Sequence, residues 1–551
     1  MIKQTVKTRL DAALSAWADQ KGISPLPQYS LEEPPKNIGG DLASNAAMLY
    51  AKLLKTNPRK VAEELVPVVS EALAGLCDKV EIAGAGFLNI RLSDKLFSEE
   101  LNKILTEGPA YGKYLDKRPE RVLFEFVSAN PTGPLHIGHG RGAAIGDSLC
   151  RIYKHLGYDI TREYYLNDVG NQMETLGRSL ELRYRELNGE KIEFPEDGYK
   201  GDYIKDIARK LIDSKVPKEN IDFKKAALDA MMATIDSDLK GFGVAFDNWF
   251  SESTIAFERG GEGKTKVDLM CEKLLKEGFA FEQDGALWFA STRYGDDKDR
   301  VLRRSDGRYT YLASDIAYHN NKLERGFTKL VNLWGADHHG YVPRMKAAIQ
   351  ALGKSPETLQ IILYQLVSLV RNGVPVAMST RAGEFVTLEE VIKEVGVDAC
   401  RFFFMLRAPD SQLEFDLELA KKQSSENPVF YVQYVHARCC SIFKEYNSKN
   451  PGAERKTPDF GLLTTPEERN LIKKLIFFPD AVELCAKTYA PNYLTNYLME
   501  CADLFHKFYE KCRVITDDKE LTNSRLALVT CIASIIKNGL GLLGVSAPDR
   551  M

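Results

Sequence analysis

The feature that most constrains the fold is a strand, turn and helix pattern in the first third of the chain. An apolar run at 122–127 precedes a turn that prolines and a glycine break at 131–134. The helix pattern after it begins with His136 and His139 in an H-x-G-H spacing. A helix start offers unpaired N–H groups and a partial positive charge, and the glycine lets a phosphate approach closely. This pattern predicts a nucleotide-binding β–α unit.

A four-residue H-x-G-H spacing also arises by chance, so both histidines could be ordinary helix residues. The context favours binding, because the preceding strand carries Glu125 among apolar neighbours. A charged residue inside such a strand is rarely buried without a partner. We therefore interpret the turn as a nucleotide-handling site.

The patterns around this turn predict an α/β domain over residues 109–395, with a Rossmann-type parallel sheet that binds ligands at the carboxyl ends of its strands. The charged and mainly helical region 170–300 is expected to be an insertion between two halves of that sheet. The strand patterns lie at 122–127, 159–166, 286–289 and 330–334, and a helix pattern covers 139–156.

Two further domains are expected on either side. Residues 1–108 predict an N-terminal α+β module, and residues 396–551 predict an all-α helical bundle. In the module, helix patterns cover 6–20, 42–54 and 59–77, and strand patterns cover 79–83 and 87–92. In the bundle, apolar residues recur at helical spacing over 429–443, 471–484 and 526–543.

The composition is that of a globular protein, with 44% hydrophobic and 27% charged residues. No apolar stretch approaches the roughly 18 residues of a membrane span, and the first residues show neither a signal core nor a transit-peptide composition, so we expect no transmembrane or targeting segment. The ten cysteines form no C-x-x-C or metal-ligand spacing. We expect reduced thiols, no protein-bound metal and a cytoplasmic location. A net charge of −3 does not exclude a nucleic-acid partner, because phosphate contacts need only a local basic surface.

A second polar cluster follows the strand pattern at 330–334. Residues 334–340 hold Asp337, two histidines and two glycines, so that four of the eight histidines lie at two predicted strand-to-helix turns. Such strand-end residues favour a ligand site, although turn residues with a satisfied core histidine would explain them as well.

Tyr311 and Asp315 stand four residues apart, so a helix places both on one face. Such a pair can bind a guanidinium, because the carboxylate accepts two N–H groups and the hydroxyl accepts a third. A plain surface pair would have the same spacing. Glu252 follows two aromatic residues and a serine and offers a second acidic group, although alone it could be a helix cap.

The segment 376–385 is a loop of small and hydroxyl residues with one arginine. A loop of this composition suits transient stabilisation of phosphate charge. On its own, a solvated loop without that role would explain it equally well.

Together these segments resemble those of class I aminoacyl-tRNA synthetases, and most closely the arginyl-tRNA synthetase family, over essentially the whole length. Residues 129–139 resemble the family's HIGH segment, and 377–381 its KMSKS loop. Further similar segments are Tyr311-x-x-x-Asp315, 250–252, the start of the anticodon-binding region at 396–401, and 39–45 and 86–90 of the family's N-terminal tRNA-binding module.

The resemblance implies a two-step reaction. Arginine and ATP, bound with Mg²⁺, would give arginyl-adenylate and pyrophosphate, and the 2′-hydroxyl of the 3′-terminal adenosine of tRNA(Arg) would then take the arginyl group. It also implies that activation requires tRNA. We expect a monomer.

The resemblance also implies the roles of individual residues. The catalytic residues would be His136, His139, Ser379 and Arg381. ATP would contact the two histidines, Gly138, Gly335, Asp337 and Met378. Arginine would contact Glu125, Asn130, Glu252, Tyr311 and Asp315. The tRNA would contact Tyr431, Tyr434, Arg438 and Met551, although an aromatic stripe at this helical spacing is more often part of a core.

The chain departs from the family pattern in the loop. Ala377 and Thr380 replace two family lysines, and Gly133 stands where some members carry a compensating lysine. We hypothesise that Arg381, Arg141 or Arg371 supplies the charge. Asp337 lies near a position where some members use a glutamine, so its role is open.

Three alternatives remain on the sequence alone. A synthetase of the same class could use another amino acid, although the acidic residues favour a cationic one. A small-molecule nucleotidyltransferase could share the H-x-G-H turn, but it would leave the terminal domains without a purpose. A catalytically silent tRNA-binding relative is conceivable because the lysines are missing.

Overall fold

The structure is a computed structural model, and it describes residues 1–35, 38–260, 263–376, 386–452 and 456–551. Three regions follow one another along the chain. Each is held by helices that bury an apolar face against a sheet or against other helices.

The N-terminal region is an α+β module, as predicted. Its elements are α1 (Ile2–Gln20), β1 (Leu31–Glu32), β2 (Leu42–Ser44), α2 (Ala46–Leu54), α3 (Pro58–Ala72), β3 (Cys77–Ala83), β4 (Phe87–Leu92) and α4 (Asp94–Glu107). The sheet has the antiparallel order β1-β2-β4-β3. Residues 42–44 were expected to begin a helix, but they form a strand because Leu42 pairs with Ile90 of β4. Tertiary pairing outweighs helix propensity here.

The middle region holds a Rossmann-type parallel sheet, as predicted. Its elements up to the fifth sheet strand in sequence are β5 (Arg121–Glu125), α5 (Ile137–His155), β6 (Asp159–Leu166), α6 (Asn171–Leu187), α7 (Asp202–Asp213), α8 (Phe223–Gly241), β7 (Asn248–Ser251), α9 (Ser253–Ala256), α10 (Lys266–Lys276), β8 (Ala280–Gln283), β9 (Ala286–Phe289), β10 (Arg300–Arg303), α11 (Tyr311–Glu324), β11 (Lys329–Gly335), α12 (Val342–Ala351) and β12 (Leu359–Tyr364). The strands run parallel in the order β12-β11-β5-β6-β7.

The expectation of one mainly helical insertion over 170–300 requires correction. Helices α6 to α8 form such an insertion, but β7 returns to the parallel sheet beside β6. Strand β9 was expected in the main sheet and lies instead in a separate antiparallel sheet, β10-β9-β8. A four-residue strand has too few residues for its sequence to show which sheet it joins.

The last region is mostly helical. Its elements are β13 (Val367–Arg371), β14 (Val374–Pro375), α13 (Leu388–Val395), α14 (Val397–Phe404), β15 (Leu413–Asp416), α15 (Leu417–Lys421), α16 (Pro428–Lys449), α17 (Pro466–Ile476), α18 (Phe478–Thr488), α19 (Asn492–Lys511) and α20 (Lys519–Leu542). The helix expected at 471–484 is divided between α17 and α18. Pro479 lies in the first turn of α18, where its missing N–H costs no hydrogen bond.

Helix α20 is the one described helix whose length and composition would let it cross a membrane. Its apolar window has a mean hydropathy of 1.4, and 61% of that window is buried inside the protein. A core helix of a helical bundle has the same composition, so this observation is weak evidence for a span.

Helix α5 packs closely against the residues around it because glycines line its contact faces. A β-carbon on Gly140 would lie 2.5 Å from Leu388 Cδ1, one on Gly142 2.9 Å from the Tyr364 ring, and one on Gly146 2.4 Å from Phe126 Cγ. These distances are shorter than any carbon contact allows, so the helix position requires glycine.

The second half of α5 is fixed by a buried ion pair. Asp147 Oδ2 accepts from Arg401 Nη2 at 2.6 Å and from Arg151 Nε at 2.7 Å. The Arg401 Nε donates to the Leu543 carbonyl at 2.9 Å, and its Nη1 donates to the Phe242 carbonyl at 3.1 Å. One guanidinium therefore connects α5 to the insertion and to the end of α20.

We predict that Gly146→Ala lowers the thermal unfolding temperature, because the added methyl group overlaps Phe126. Overpacking of this kind costs about 1–3 kcal/mol. Gly241→Ala is the matched control, since it adds the same methyl group at a helical glycine with no atom within 4 Å. Calorimetry should show the control unchanged or more stable. Equal unfolding temperatures for Gly146→Ala and the parent protein would contradict the packing argument.

Candidate active site

The H-x-G-H turn forms the start of α5. His136 is the N-cap residue, and its Nδ1 accepts a hydrogen bond from the Gly138 N–H at 3.1 Å. The His139 Nδ1 accepts from the His136 N–H at 3.3 Å, and the two rings stack with centroids 3.6 Å apart. Because both Nδ1 atoms accept, the proton of each neutral ring lies on Nε2. The turn therefore carries two imidazole N–H donors side by side.

Both imidazoles are neutral at pH 7. Burial lowers the pKa of His136, and it lowers the pKa of His139 to about 3, with His136 adding to the effect. A β-carbon on Gly138 would lie 2.9 Å from His136 Cε1, so a side chain there would disturb the stacked pair. Neutral donors at a helix N-terminus suit an anionic group such as a phosphate.

The backbone between β5 and α5 is strained. Val127 has φ +66° and Ser128 has φ +40°, and a β-branched residue rarely adopts a positive φ. The Ser128 Oγ accepts from the Tyr165 N–H at 3.1 Å, and the Ala129 carbonyl accepts from the Tyr164 hydroxyl at 2.7 Å. Strain held in place by neighbouring strands is typical of functional turns. Asn130 follows directly and is exposed.

A row of polar side chains crosses the sheet at the end of β5. The strand register aligns Asn332, Glu125, Glu163 and Asn248. Lys322 of α11 lies with its Nζ 2.5 Å from Glu125 Oε2 and is fully buried. Arg325, the C-cap of α11, donates to both oxygens of Glu163 at 2.5 and 2.8 Å. The partner that the burial of Glu125 requires is therefore Lys322, and two of the buried carboxylates are neutralised by α11.

Glu252 is the first of two acidic groups without a cation. It is 4% exposed, at the end of β7, and accepts hydrogen bonds from the hydroxyls of Tyr165 and Ser314. Burial raises the pKa of Glu252 to about 7, and the nearby Asp315 and Asp168 add to the rise. Burial therefore disfavours the ionised form of the Glu252 carboxyl when no cation lies beside it.

Asp315 is the second acidic group without a cation. Burial, with a smaller contribution from Glu125, raises the pKa of Asp315 to about 6. A hydrogen bond from the Tyr341 hydroxyl to Asp315 Oδ2 acts in the opposite direction. Among the described residues, neither Asp315 nor Glu252 forms an ion pair, so a cation beside these two interacting carboxyls would stabilise their ionised forms.

The phenol beside Asp315 belongs to Tyr341 and not to Tyr311. Tyr311 is the first residue of α11 and is 73% exposed, with no hydrogen bond to Asp315. Tyr341 reaches Asp315 from the turn after β11. Tyr311 and Asp315 do lie in one helix at the predicted spacing. The hydroxyl that contacts Asp315, however, belongs to Tyr341, 26 positions further along the chain. A role of Tyr311 in binding a guanidinium stays a prediction.

Gly335 and Asp337 lie at the end of β11, as predicted. Gly335 pairs with Tyr364 of β12, and a β-carbon on Gly335 would lie 2.5 Å from Asp337 Oδ1. The Asp337 side chain is 81% exposed, and its Oδ2 lies 3.7 Å from His338 Nε2. Their roles toward ATP stay predictions.

Arg141 cannot supply a free cation. Its side chain is fully buried, its Nη1 donates to the carbonyls of Gln365 and Ser411 at 2.7 and 2.9 Å, and its Nη2 donates to the carbonyl of Ala408 at 2.9 Å. Burial lowers its pKa to about 10, so the guanidinium is still charged at pH 7. These donors fasten α5 to the segment between β12 and β13 and to the segment between α14 and β15, and they are not available to a phosphate.

Arg371 forms an ion pair with Glu394 at the protein surface. Its Nη1 and Nη2 donate to the two oxygens of Glu394 at 2.6 and 2.8 Å. The hypothesis that Arg141 replaces the missing lysines is therefore wrong, whereas the hypothesis for Arg371, whose ion pair is exposed, stays a prediction. The remaining loop residues of the prediction, Met378, Ser379 and Arg381, lie outside the described residues.

The residues predicted to contact tRNA include an aromatic cluster between α16 and α19. The rings of Tyr431 and Tyr434 lie 4.6 and 5.8 Å from His506. The Arg438 guanidinium lies 5.2 Å from the Tyr434 ring. A cavity of about 310 Å³ is lined by Ser425, Phe430, Tyr431, Tyr434 and His506. Met551, at the end of the chain, is 50% exposed.

Several residues of these sites carry no obvious signal of that role in the sequence patterns. They are Lys322, Tyr341, Tyr165, Ser314 and His506. One signal could have shown Lys322: it stands seven residues after Asp315, on the same face of a helix. Ser314 directly precedes Asp315 in α11, whereas Tyr165, Tyr341 and His506 come from other elements, and no spacing in the sequence joins them to their partners.

Comparison with known families assigns most of the chain. Residues 100–408 match the family described as tRNA synthetases class I (R), catalytic domain. Residues 2–92 match the arginyl tRNA synthetase N terminal domain, and residues 432–551 match the DALR anticodon binding domain.

Curated relatives match along their whole length. An arginine–tRNA ligase of Syntrophotalea carbinolica is 49% identical over 563 residues, covering 100% of both chains. One of Geobacter sp. (strain M21) is 52% identical, covering 96% of this chain and 95% of the relative. The solved structure of Thermus thermophilus arginyl-tRNA synthetase is 22% identical, covers 100% of both chains and has a TM-score of 0.79, so it supports the fold.

We predict that Tyr341→Phe raises the pKa of Asp315 above about 6, because the ionised carboxylate loses a hydrogen bond. A hydrogen bond to a charged group is worth about 1.5–3 kcal/mol, which corresponds to about one to two pH units. Infrared titration of ¹³C-labelled aspartate carboxyls would measure the change. Tyr311→Phe is the matched control and should leave this titration unchanged. An Asp315 pKa that moves with Tyr311 and not with Tyr341 would contradict the assignment.

Proposed function

The chain belongs to the arginyl-tRNA synthetase family of class I aminoacyl-tRNA synthetases, and on that premise we propose that it attaches arginine to tRNA(Arg) at the site described above. An oxygen of the arginine carboxylate attacks the α-phosphorus of ATP, and the bond to the bridging oxygen breaks to release pyrophosphate. The 2′-hydroxyl of the terminal adenosine then attacks the carbonyl carbon, and AMP leaves. Positioning and charge stabilisation are enough for both steps, without a covalent intermediate on the protein.

The observation that carries the proposal is the acidic pair of Glu252 and Asp315. Neither carboxyl forms an ion pair among the described residues, and burial raises the pKa of both. A guanidinium is planar, permanently charged and rich in N–H donors, so it would ionise both groups and satisfy them. Lysine offers one compact ammonium group in place of that planar arrangement of donors, and it would leave part of the pocket unsatisfied.

The α-amino end of arginine is proposed to lie toward Asn130 and Glu125. Asn130 is exposed just after the strained turn, and Glu125 ends the strand that leads into it. Because Lys322 contacts Oε2 of Glu125, the ammonium group is proposed to approach the other oxygen, Oε1. Tyr311, exposed at the start of α11, is proposed as a further contact of the guanidinium.

ATP, bound with Mg²⁺ as the substrate complex, is proposed to lie along the start of α5. The Nε2–H groups of His136 and His139 would donate to its phosphates, and Gly138 leaves room for them. Gly335 and Asp337 would lie on the nucleoside side, and Met378 beside them. Ser379 and Arg381 are proposed to stabilise the leaving pyrophosphate, since Arg141 is engaged elsewhere.

The anticodon loop is proposed to reach Tyr431, Tyr434, Arg438 and Met551. The cavity beside His506 has aromatic walls, on which an unstacked base can lie. We also propose that the protein acts as a monomer in the cytoplasm, without a membrane. Its ten free thiols fit a reducing compartment.

The test is ATP–pyrophosphate exchange and tRNA charging with each proteinogenic amino acid, with and without tRNA. We expect that arginine is the one amino acid attached to tRNA, and that ATP–pyrophosphate exchange requires tRNA. Charging with a different amino acid would indicate another synthetase of the class. Exchange without transfer to tRNA would indicate a nucleotidyltransferase, and tRNA binding without either activity would indicate a silent relative.

We predict that the KM for arginine rises about tenfold or more as the pH falls from 8 to 6. Glu252 and Asp315 bind a cation only when ionised, and their pKa values of about 7 and about 6 place protonation in this range. Affinity is therefore present above pH 7 and lost as the pH falls. Glu252→Gln should raise the KM at pH 8 and flatten the upper part of the profile. A KM for arginine that does not change with pH would rule out these carboxylates as the guanidinium site.

A further inference from the structure

The helical insertion has a hydrophobic core of its own. Helices α6 and α7 and the first half of α8 enclose Met173, Leu176, Leu180, Ile204, Ile207, Ala208, Ala227 and Met231. Ile235 and Leu239, in the second half of α8, belong instead to the main core around the sheet. The insertion is therefore a separate packing unit that α8 anchors at one end.

This unit contacts the turn before α5 through Tyr203 of α7. The Tyr203 hydroxyl donates to the Thr132 carbonyl at 2.5 Å, and Tyr199 hydrogen-bonds to the Thr132 side chain. A β-carbon on Gly133 would lie 3.4 Å from the Tyr203 oxygen. Within the part of the chain that the structure describes, Thr132 is the residue through which α6, α7 and the loop between them hydrogen-bond outside the insertion.

Besides the contact of Tyr199 with the Thr132 side chain, four hydrogen bonds from neighbouring elements fix this turn at Ser128, Ala129, Thr132 and Leu135. The Ser128 Oγ accepts a hydrogen bond from the Tyr165 N–H, and the Ala129 carbonyl accepts one from the Tyr164 hydroxyl. The Leu135 carbonyl accepts one from the Leu388 N–H. The Thr132 carbonyl accepts one from the Tyr203 hydroxyl. The first three donors belong to the sheet or to α13, next to the sheet domain. The fourth comes from the insertion and holds the middle of the turn. Thr132 N–H in turn donates to the Asn130 carbonyl at 2.7 Å, so the position of Thr132 sets that of Asn130.

We propose that Tyr203 is a positioning residue for the amino acid site, acting from the insertion through the Thr132 carbonyl on Asn130. The inference rests on the proposed function, because it takes Asn130 as a contact of the substrate. Tyr203 itself touches no atom of the site. Its effect is to hold the exposed Asn130 in one place relative to Glu125, so that binding does not have to order the turn.

The test begins with Tyr203→Phe, which removes the hydroxyl and keeps the ring. The loss of one hydrogen bond predicts a rise of about two- to twelvefold in the KM for arginine, with a smaller change in kcat and an unchanged unfolding temperature. Tyr184→Phe is the matched control, because Tyr184 packs edge-to-face on Phe223 in the same insertion and its hydroxyl has no hydrogen bond among the described residues. It should leave all three quantities unchanged.

A double-mutant cycle with Asn130→Ala separates positioning from a general structural effect. If Tyr203 acts through Asn130, Tyr203→Phe will add little to the KM for arginine once Asn130 is alanine. Multiplicative effects on the KM, or an unchanged KM in Tyr203→Phe, would overturn the inference. The parent enzyme is measured first: if it does not charge tRNA with arginine, the proposed function fails, whereas a normal parent with an unaffected Tyr203→Phe variant rejects the role of Tyr203 alone.

Discussion

The structure of the site depends on how α11 distributes positive charge over buried carboxylates. Lys322 and Arg325 neutralise Glu125 and Glu163 on the sheet, while Asp315 and Glu252 receive hydrogen bonds but no cation. An unpaired buried carboxylate is costly, so it is kept protonated or paired with a ligand. The same helix thus stabilises the sheet by pairing two of its carboxylates, while two neighbouring carboxyls remain without an ion pair among the described residues.

The sequence was sufficient for the parts of the site that lie within one element or its ends. The apolar strand, the broken turn and the histidine spacing gave the β5–α5 unit, and the Tyr311–Asp315 spacing gave the start of α11. It could not give Tyr341 as the partner of Asp315, since that contact joins a turn to a helix 26 residues away. Tertiary proximity between elements leaves no periodic pattern in a single sequence.

The errors in the fold have the same origin. Short strands such as β7 and β9 carry too few residues to show which sheet they join. The residues of β2 fit the start of a helix in the sequence pattern, but their pairing with β4 makes them a strand. Arg141 and Arg371 looked equally available as cations in the sequence. Burial and three carbonyl partners remove Arg141 from that role, whereas Arg371 is exposed and pairs with Glu394 at the surface.

The Asp147–Arg401 pair bears on how this chain can be divided. The family matches end one domain at 408 and begin another at 432, yet Arg401 also holds the Leu543 carbonyl near the end of the chain. A fragment cut at either boundary would separate this guanidinium from the last turn of α20 and expose a surface built around it. The family boundaries therefore pass between segments that this one guanidinium holds together, from α5 to the end of α20.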